Sequence, residues 1–251
     1  MRRSAALLVA VCAVVSGCSA QGVEPTPTPT TPAASSTRAS TTSAPTPTPP
    51  PTGDQVRTEG TTVTSGDASI HVLAAPGVTV ERHKGDDGSV HLDVAAGSTP
   101  PDEPIAFVAG TGAAAFADGT ALAGHGGLNP SGGSLRLSSK GVLALYPRAA
   151  ATDVSVWFAG TAVEHTAWGE REGGRSLAVT PSAWARDGGF AASDLTWSQL
   201  VALEPDADSA TMHDQLRCHE LGAPDKATWN LEPWRPQVDG LAMIAARCNP
   251  T

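Results

Sequence analysis

Residues 78–94 read Val78-Thr79-Val80-Glu81-Arg82-His83-Lys84-Gly85-Asp86-Asp87-Gly88-Ser89-Val90-His91-Leu92-Asp93-Val94. On both sides of Gly85-Asp86-Asp87-Gly88, apolar and polar residues alternate in period two. That period places one set on each side of an extended strand. The Gly/Asp cluster between them supplies the positive-φ and side-chain-to-backbone chemistry of a tight hairpin. The stretch predicts two antiparallel strands with one buried face.

Working outward, the same alternation recurs at Ser69-Ile70-His71-Val72-Leu73, at Ser134-Leu135-Arg136-Leu137, and over 142–146 and 154–158. Arg171-Glu172-Gly173-Gly174-Arg175 is a second hairpin signal, joining 162–168 to 176–180. The glycine-rich stretch 124–133 reads as a flexible loop.

Helical patterns come only later, as do the tryptophans, all of which lie at or after Trp157. Ser193 or Asp194 can cap a short helix through Trp197, Leu200, Val201 and Leu203, stopped by Glu204-Pro205. Thr211-Met212-His213-Asp214 reads as a capping box with Asp in place of Glu, opening a helix to Leu221 that Gly222 and Pro224 end. Asp239 caps a last helix, with Leu241, Ile244, Ala245 and Cys248 at i, i+3, i+4, i+7, which directs Cys248 to the core. The expected fold class is α+β: a mainly antiparallel β N-terminal region followed by a small, disulfide-stapled, helix-containing C-terminal region.

The amino terminus has its own logic. Arg2 and Arg3 precede an apolar stretch over 5–17, shorter than the about 20 residues a membrane-spanning helix needs. Val15-Ser16-Gly17-Cys18 resembles the bacterial lipobox. That resemblance implies cleavage before Cys18, diacylation of its sulfur-bearing end (palmitate among the acyl chains), and a cell-membrane location facing the extracytoplasmic side. Two acyl chains, at about 0.8 kcal/mol per buried CH₂, anchor stably where one would not. The following stretch is dominated by Pro, Thr, Ser and Ala, as in Pro25-Thr26-Pro27-Thr28-Pro29. It has no apolar set to offset the entropy of ordering, so it is expected to be a disordered, extended tether. The expected organisation is a leader over 1–17, a tether over 18–56, a β-rich region over 57–162 and a distinct module over 163–251.

Net charge is −9 over the full chain. No cluster of Lys and Arg offers a phosphate-binding surface, which argues against nucleic acid as a partner. The expected partners are the membrane, through the lipid anchor, and a cell-wall component or envelope protein. Of the four cysteines, Cys12 falls in the leader and Cys18 in the lipobox, leaving Cys218 and Cys248. In an exported chain these two are expected to pair, a staple contributing about 3–4 kcal/mol in the chain-entropy account. Cys218 as a nucleophile would need a base beside it. His219 is adjacent in sequence, but neighbouring side chains on a helix diverge.

Trp229-Asn230-Leu231-Glu232-Pro233-Trp234-Arg235-Pro236 lies between those cysteines. With Asp214-Gln215-Leu216-Arg217-Cys218-His219, Ala245-Ala246-Arg247-Cys248-Asn249-Pro250, the run 174–181 and Trp184-Ala185-Arg186, it resembles the C-terminal domain family DUF2599 over roughly 163–250. The resemblance implies a bacterial exported protein or lipoprotein and no assigned activity. Pro233 and Pro236 make the string a stiff, non-helical crossing segment. Trp229, Trp234 and Arg235 are its binding candidates, as a carbohydrate-stacking or peptide-binding ledge. The favoured reading is that the indoles cover the disulfide and pack the helices while Arg235 stacks on one of them or meets a carboxylate.

Acid–base or metal chemistry would have to come from His213, Asp214, His219, Glu220 and Glu232. His213, His219 and Glu232 are the catalytic candidates. The two histidines, six apart, project about 120° apart on a helix, unlike the i, i+4 pair of a zinc site. Met212, Leu216 and His219 share a face, which favours a core histidine. His125-Gly126-Gly127 is similar to an esterase oxyanion loop, but no G-x-S-x-G elbow accompanies it. P-loop, H-E-x-x-H and C-x-x-C motifs are absent from the sequence, so no cofactor or metal is expected. His71, His83 and His91 read as exposed or cross-strand neighbours. Two functional expectations follow: a lipid-anchored envelope protein that binds or scaffolds, and, as the alternative, an extracytoplasmic hydrolase acting on a cell-wall or envelope substrate.

Overall fold

The computed structural model describes residues 49–110, 113–115, 119–122, 126–139 and 141–251. Cys12, Cys18, most of the tether and His125 lie outside the described residues. The architecture is α+β and mainly antiparallel.

Helix α1 (Gly53–Glu59) is the first element of the described chain and straddles the boundary at 56 between the stretches read as tether and as β-rich region. Thr52 and Gln55 form a reciprocal capping box, which explains why a helix starts directly after a proline run. Two sheets follow. The first runs β1 (Thr61–Ser65), β2 (Ala68–Ala74), β5 (Ala106–Ala109), β10 (Val142–Pro147) and β9 (Gly133–Ser139). The second runs β3 (Thr79–Lys84), β4 (Val90–Ala95), β11 (Val154–Ala159), β8 (Gly127–Ser131), β7 (Thr120–Leu122) and β6 (Ala113–Ala115). Their facing side chains form one cluster, with Ile70, Val72 and Leu143 from one sheet meeting Leu92, Val156 and Phe158 from the other. The result is a β-sandwich.

The 78–94 hairpin forms as read, with the Gly85 N–H donating to the Ser89 carbonyl across the turn. The expectation of a single buried face holds for β4 but fails in the centre. In β5 and β10 every side chain except Tyr146 is buried. Ala106, Val108, Leu143 and Leu145 face the sandwich interior, while Phe107, Ala109, Val142 and Ala144 pack under Val56 of α1. Residues 127–131, read as flexible loop, are the strand β8.

The third sheet orders β12 (Val163–Arg171), β13 (Gly174–Pro181) and β14 (Trp229–Leu231). The β12–β13 hairpin turns at Glu172 and Gly173, both at positive φ. Helix α2 (Ala183–Asp187) is capped by Ser182. Helix α3 (Phe190–Leu203) begins at Phe190 behind Gly189, not at Ser193 or Asp194, and ends before Glu204-Pro205 as read. Glu204 then accepts from Thr166 and the Trp168 indole. Helix α4 (Ala210–Gly222) is capped by Ser209, two residues before the Thr211 box read from sequence.

Helix α3 belongs to two cores. Ala191, Ala192 and Leu195 pack with Ala121, Ala159 and Trp184 on the outer face of the second sheet, and Leu200 packs with Leu177, Leu216 and Trp229. Trp184 is fully buried against Gly127, where any Cβ would collide with its ring, and its indole N–H donates to the Trp157 carbonyl at 3.0 Å.

The last helix corrects the sequence reading. Helix α5 (Gly240–Ala245) is capped by Asp239 as expected but stops at Ala245. Leu241 and Ile244, the expected core face, are 82% and 65% exposed, and Met243 is the residue that is buried. Cys248 reaches the interior by left-handed turns at Arg247 and Cys248 (φ 51° and 69°), not along a helical stripe. Cys218 and Cys248 are disulfide-bonded, with Cα atoms 5.5 Å apart.

Candidate functional site

Strand β14 alternates in period two: Trp229 and Leu231 enter the helical core, and Glu232 follows on the other side of the chain. Glu232 is 2% exposed and Arg235 3%. One carboxylate oxygen of Glu232 accepts from Ser176 Oγ at 3.0 Å, and the other accepts from Arg235 Nε at 2.8 Å. Arg235 Nη2 donates to Glu172 at 2.7 Å, and Nη1 donates to the Pro250 carbonyl at 3.1 Å. Its guanidinium lies 4.6 Å over the Trp234 ring. Burial opposes its charge, but the hydrogen bonds and charges of Glu232 and Glu172 outweigh that and hold its pKa above the ordinary value.

The backbone of the string is clamped from α4. Gln215 Nε2 donates to the Glu232 carbonyl and Oε1 accepts from the Glu232 N–H, both at 2.9 Å. Arg186 holds the preceding loop by donating to the carbonyls of Pro224, Lys226 and Ala227. Neither Gln215 nor Arg186 was singled out in sequence as a tie. Each lies within the family-like runs, but nothing in spacing reveals a partner.

Trp229 is fully buried and donates to the Ala223 carbonyl at 3.0 Å. Arg235 has all three nitrogens engaged internally. Among the three binding candidates, only Trp234 presents surface, at 43% exposure. It lies against Gly174 of the β12–β13 hairpin, where a Cβ would overlap the indole.

The catalytic candidates have separate partners. His213 is half-buried and packs against Trp197 with ring centroids 4.5 Å apart. Desolvation, then Arg217, lowers its pKa, against Asp214. His219 is 2% exposed, and its Nε2 lies 3.0 Å from the Asn230 carbonyl. A carbonyl only accepts, so Nε2 carries the proton and Nδ1 is bare, without a partner among the described residues. Burial lowers the His219 pKa. No hydrogen bond joins any two of His213, His219 and Glu232 among the described residues.

Glu220 differs from its neighbours. Burial, opposed by the Ser193 hydrogen bond and by Arg217, pushes its pKa up to about 7. Ser193 Oγ donates to Glu220 Oε2 at 2.7 Å, tying α4 to the first turn of α3, and Oε1 is buried without a partner. Among the described residues, no group of three or more His, Cys, Asp or Glu side chains is placed to hold a metal ion. His83 lies 3.3 Å from Asp93, and His91 stacks on Trp157 at 4.7 Å, both as cross-strand neighbours.

A three-stranded sheet packed with helices, a disulfide and a buried Glu–Arg pair is thus the unit that carries the catalytic and binding candidates. A family model described as protein of unknown function (DUF2599) matches residues 163–251, and the C-terminal part of the chain belongs to that family. An uncharacterized protein of Mycobacterium tuberculosis is 45% identical over 96 residues, 35% of this chain and 65% of that protein. One from Mycobacterium leprae is 38% identical over 96 residues, 35% of this chain and 78% of that protein. The chain spans about 65% of the length of the first of these relatives. No solved structure matches it.

Proposed function

We propose that the chain is a lipid-anchored envelope protein whose head binds or scaffolds an envelope component. The observation that carries binding over catalysis is the engagement of Glu232. This best-placed carboxylate is 2% exposed and holds Ser176 and Arg235, so a substrate would have to break the module open to reach it. The disulfide supports an oxidising compartment, and Val15-Ser16-Gly17-Cys18 supports the anchor. No helix among the described residues is long and apolar enough to cross a membrane.

Membrane fractionation tests the anchor: Cys18→Ala should move the protein to the soluble fraction, and undiminished membrane association would refute it. Glu220 is the one observation that favours the hydrolase alternative, because a carboxyl titrating near 7 suits general acid–base work. A His213→Ala, His219→Gln, Glu220→Gln set that folds and keeps the wild-type phenotype removes that alternative.

A further inference from the structure

A cleft of about 570 Å³ lies where the sandwich meets the family module. Its walls are the β1–β2 turn, the β11–β12 link and one stripe of α3. Those walls are tied together at Gly160. Its N–H donates to Ser65 Oγ at 3.0 Å, and its carbonyl accepts from Gln199 Nε2 at 2.7 Å. Gln199 Oε1 takes the N–H groups of Ala162 and Val163 as well. A Cβ at Gly160 would run into the Ser65 carbonyl. Three of the four hydrogen-bonding positions of the Gln199 amide are taken by the wall itself, so the cleft is preorganised and not assembled on binding.

The lining is divided. Leu195, Ala202 and Leu203 give α3's stripe an apolar surface, and among the described residues Asp67 is the sole charged residue of the lining. Among the described residues neither Lys nor Arg lines it, so the charge it complements is positive. The volume lies within the range of ligand sites, which favour junctions of this kind. The rim is open, with Asp67 and Ala202 exposed and Leu203 58% exposed. A compact molecule would stay half in water there, whereas an extended chain can enter, leave one pair of side chains, and exit.

We propose that this cleft docks an extended peptide segment of an envelope partner that presents a lysine or arginine beside an aliphatic side chain. The aliphatic group packs on Leu195, Ala202 and Leu203, and the cation meets Asp67. The inference rests on the binding reading above and gives it a site and a ligand chemistry.

The test uses the chain in its oxidised form and a fluorescent, end-capped Ala-Leu-Lys-Leu-Ala peptide, followed by anisotropy and by amide chemical shifts. Saturable binding is expected, weakened by salt, by Glu in place of the peptide's Lys, and about 10-fold by Asp67→Asn. Shifts should centre on Gly66, Gly160 and Leu203. Ala202→Trp, at an exposed position, should fill the cleft and abolish binding while leaving the spectrum folded. Leu203→Lys, which removes the apolar wall and repels the peptide's cation, serves the same purpose should the Trp variant misfold. Absence of saturable binding overturns the proposal. So does binding that the folded cleft variants leave intact. Shifts centred on Trp234 instead would remove this site and keep the protein a binding module.

Discussion

Arg235 has no exposed side-chain surface, so truncating it leaves Glu232 as a buried carboxylate without its cation. Breaking one partner of such a pair costs about 3–5 kcal/mol, because the stranded charge keeps its desolvation penalty. Arg235→Ala should therefore lower the unfolding free energy in urea by about that amount. Glu172→Ala, removing a carboxylate that is 66% exposed, should cost less than about 1 kcal/mol. Pairing Arg235→Met with Glu232→Leu should recover most of the loss. Glu220 predicts a pH dependence of definite sign. Its folded pKa of about 7 lies above the unfolded value, so the folded state holds the proton more tightly. Its contribution to stability is complete below the unfolded pKa of about 4.5 and is lost as pH rises through about 7. His219, lowered by burial, acts oppositely and costs stability as pH falls below its unfolded value. Glu220→Gln isolates the carboxyl: it should raise stability at pH 8 relative to wild type, by up to about 3 kcal/mol, and change little near pH 5. Denaturation at both pH values checks this, and equal effects at the two would refute it.

Helix α5 shows how a correct period can select the wrong residues. Leu241, Ile244, Ala245 and Cys248 satisfy helical spacing only if the helix continues to 248. The chain leaves it at Ala245, and the residue that packs with the disulfide is Met243. Met243→Ala should accordingly cost about 2–4 kcal/mol, and Leu241→Ala no more than about 0.5 kcal/mol, measured by thermal unfolding of the oxidised protein. Elements whose signal is local were legible: the 85–88 hairpin is written in Gly and Asp, and the 171–175 hairpin in the pair Gly173-Gly174. The end of α3 is written in Glu204-Pro205. Sheet order was not, because β2 beside β5 and β4 beside β11 rest on contacts far apart in sequence. The strands between 113 and 131 were hidden because Ala, Gly and Thr carry little alternation. At the site, Glu232 and Arg235 were visible as charges inside a Trp-rich string. The Gln215 clamp and the Ser176 contact were not, since an amide or hydroxyl has no spacing that announces its partner.

At the scale of the molecule, the family module and the sandwich are joined by packing as well as by covalent continuity. Trp184 fills the space over Gly127, and one stripe of α3 lies on β7 and β8. Residues 163–251 produced alone would expose Trp184, Ala191 and Leu195. That fragment should bind a hydrophobic dye and lose near-ultraviolet circular dichroism, while residues 49–251 should do neither. A fragment with native-like spectra would show that the shared face is dispensable. The contact from Arg235 to the Pro250 carbonyl also has a consequence in time. A ribosome delivers a chain amino end first, and every strand of the sandwich has emerged by residue 159. The guanidinium at 235 must wait fifteen residues for its last acceptor. Cys218 must wait for Cys248, thirty residues behind it. The nascent protein therefore passes through an interval with a finished front and an open rear, in which Glu232 and a free thiol are at their most vulnerable.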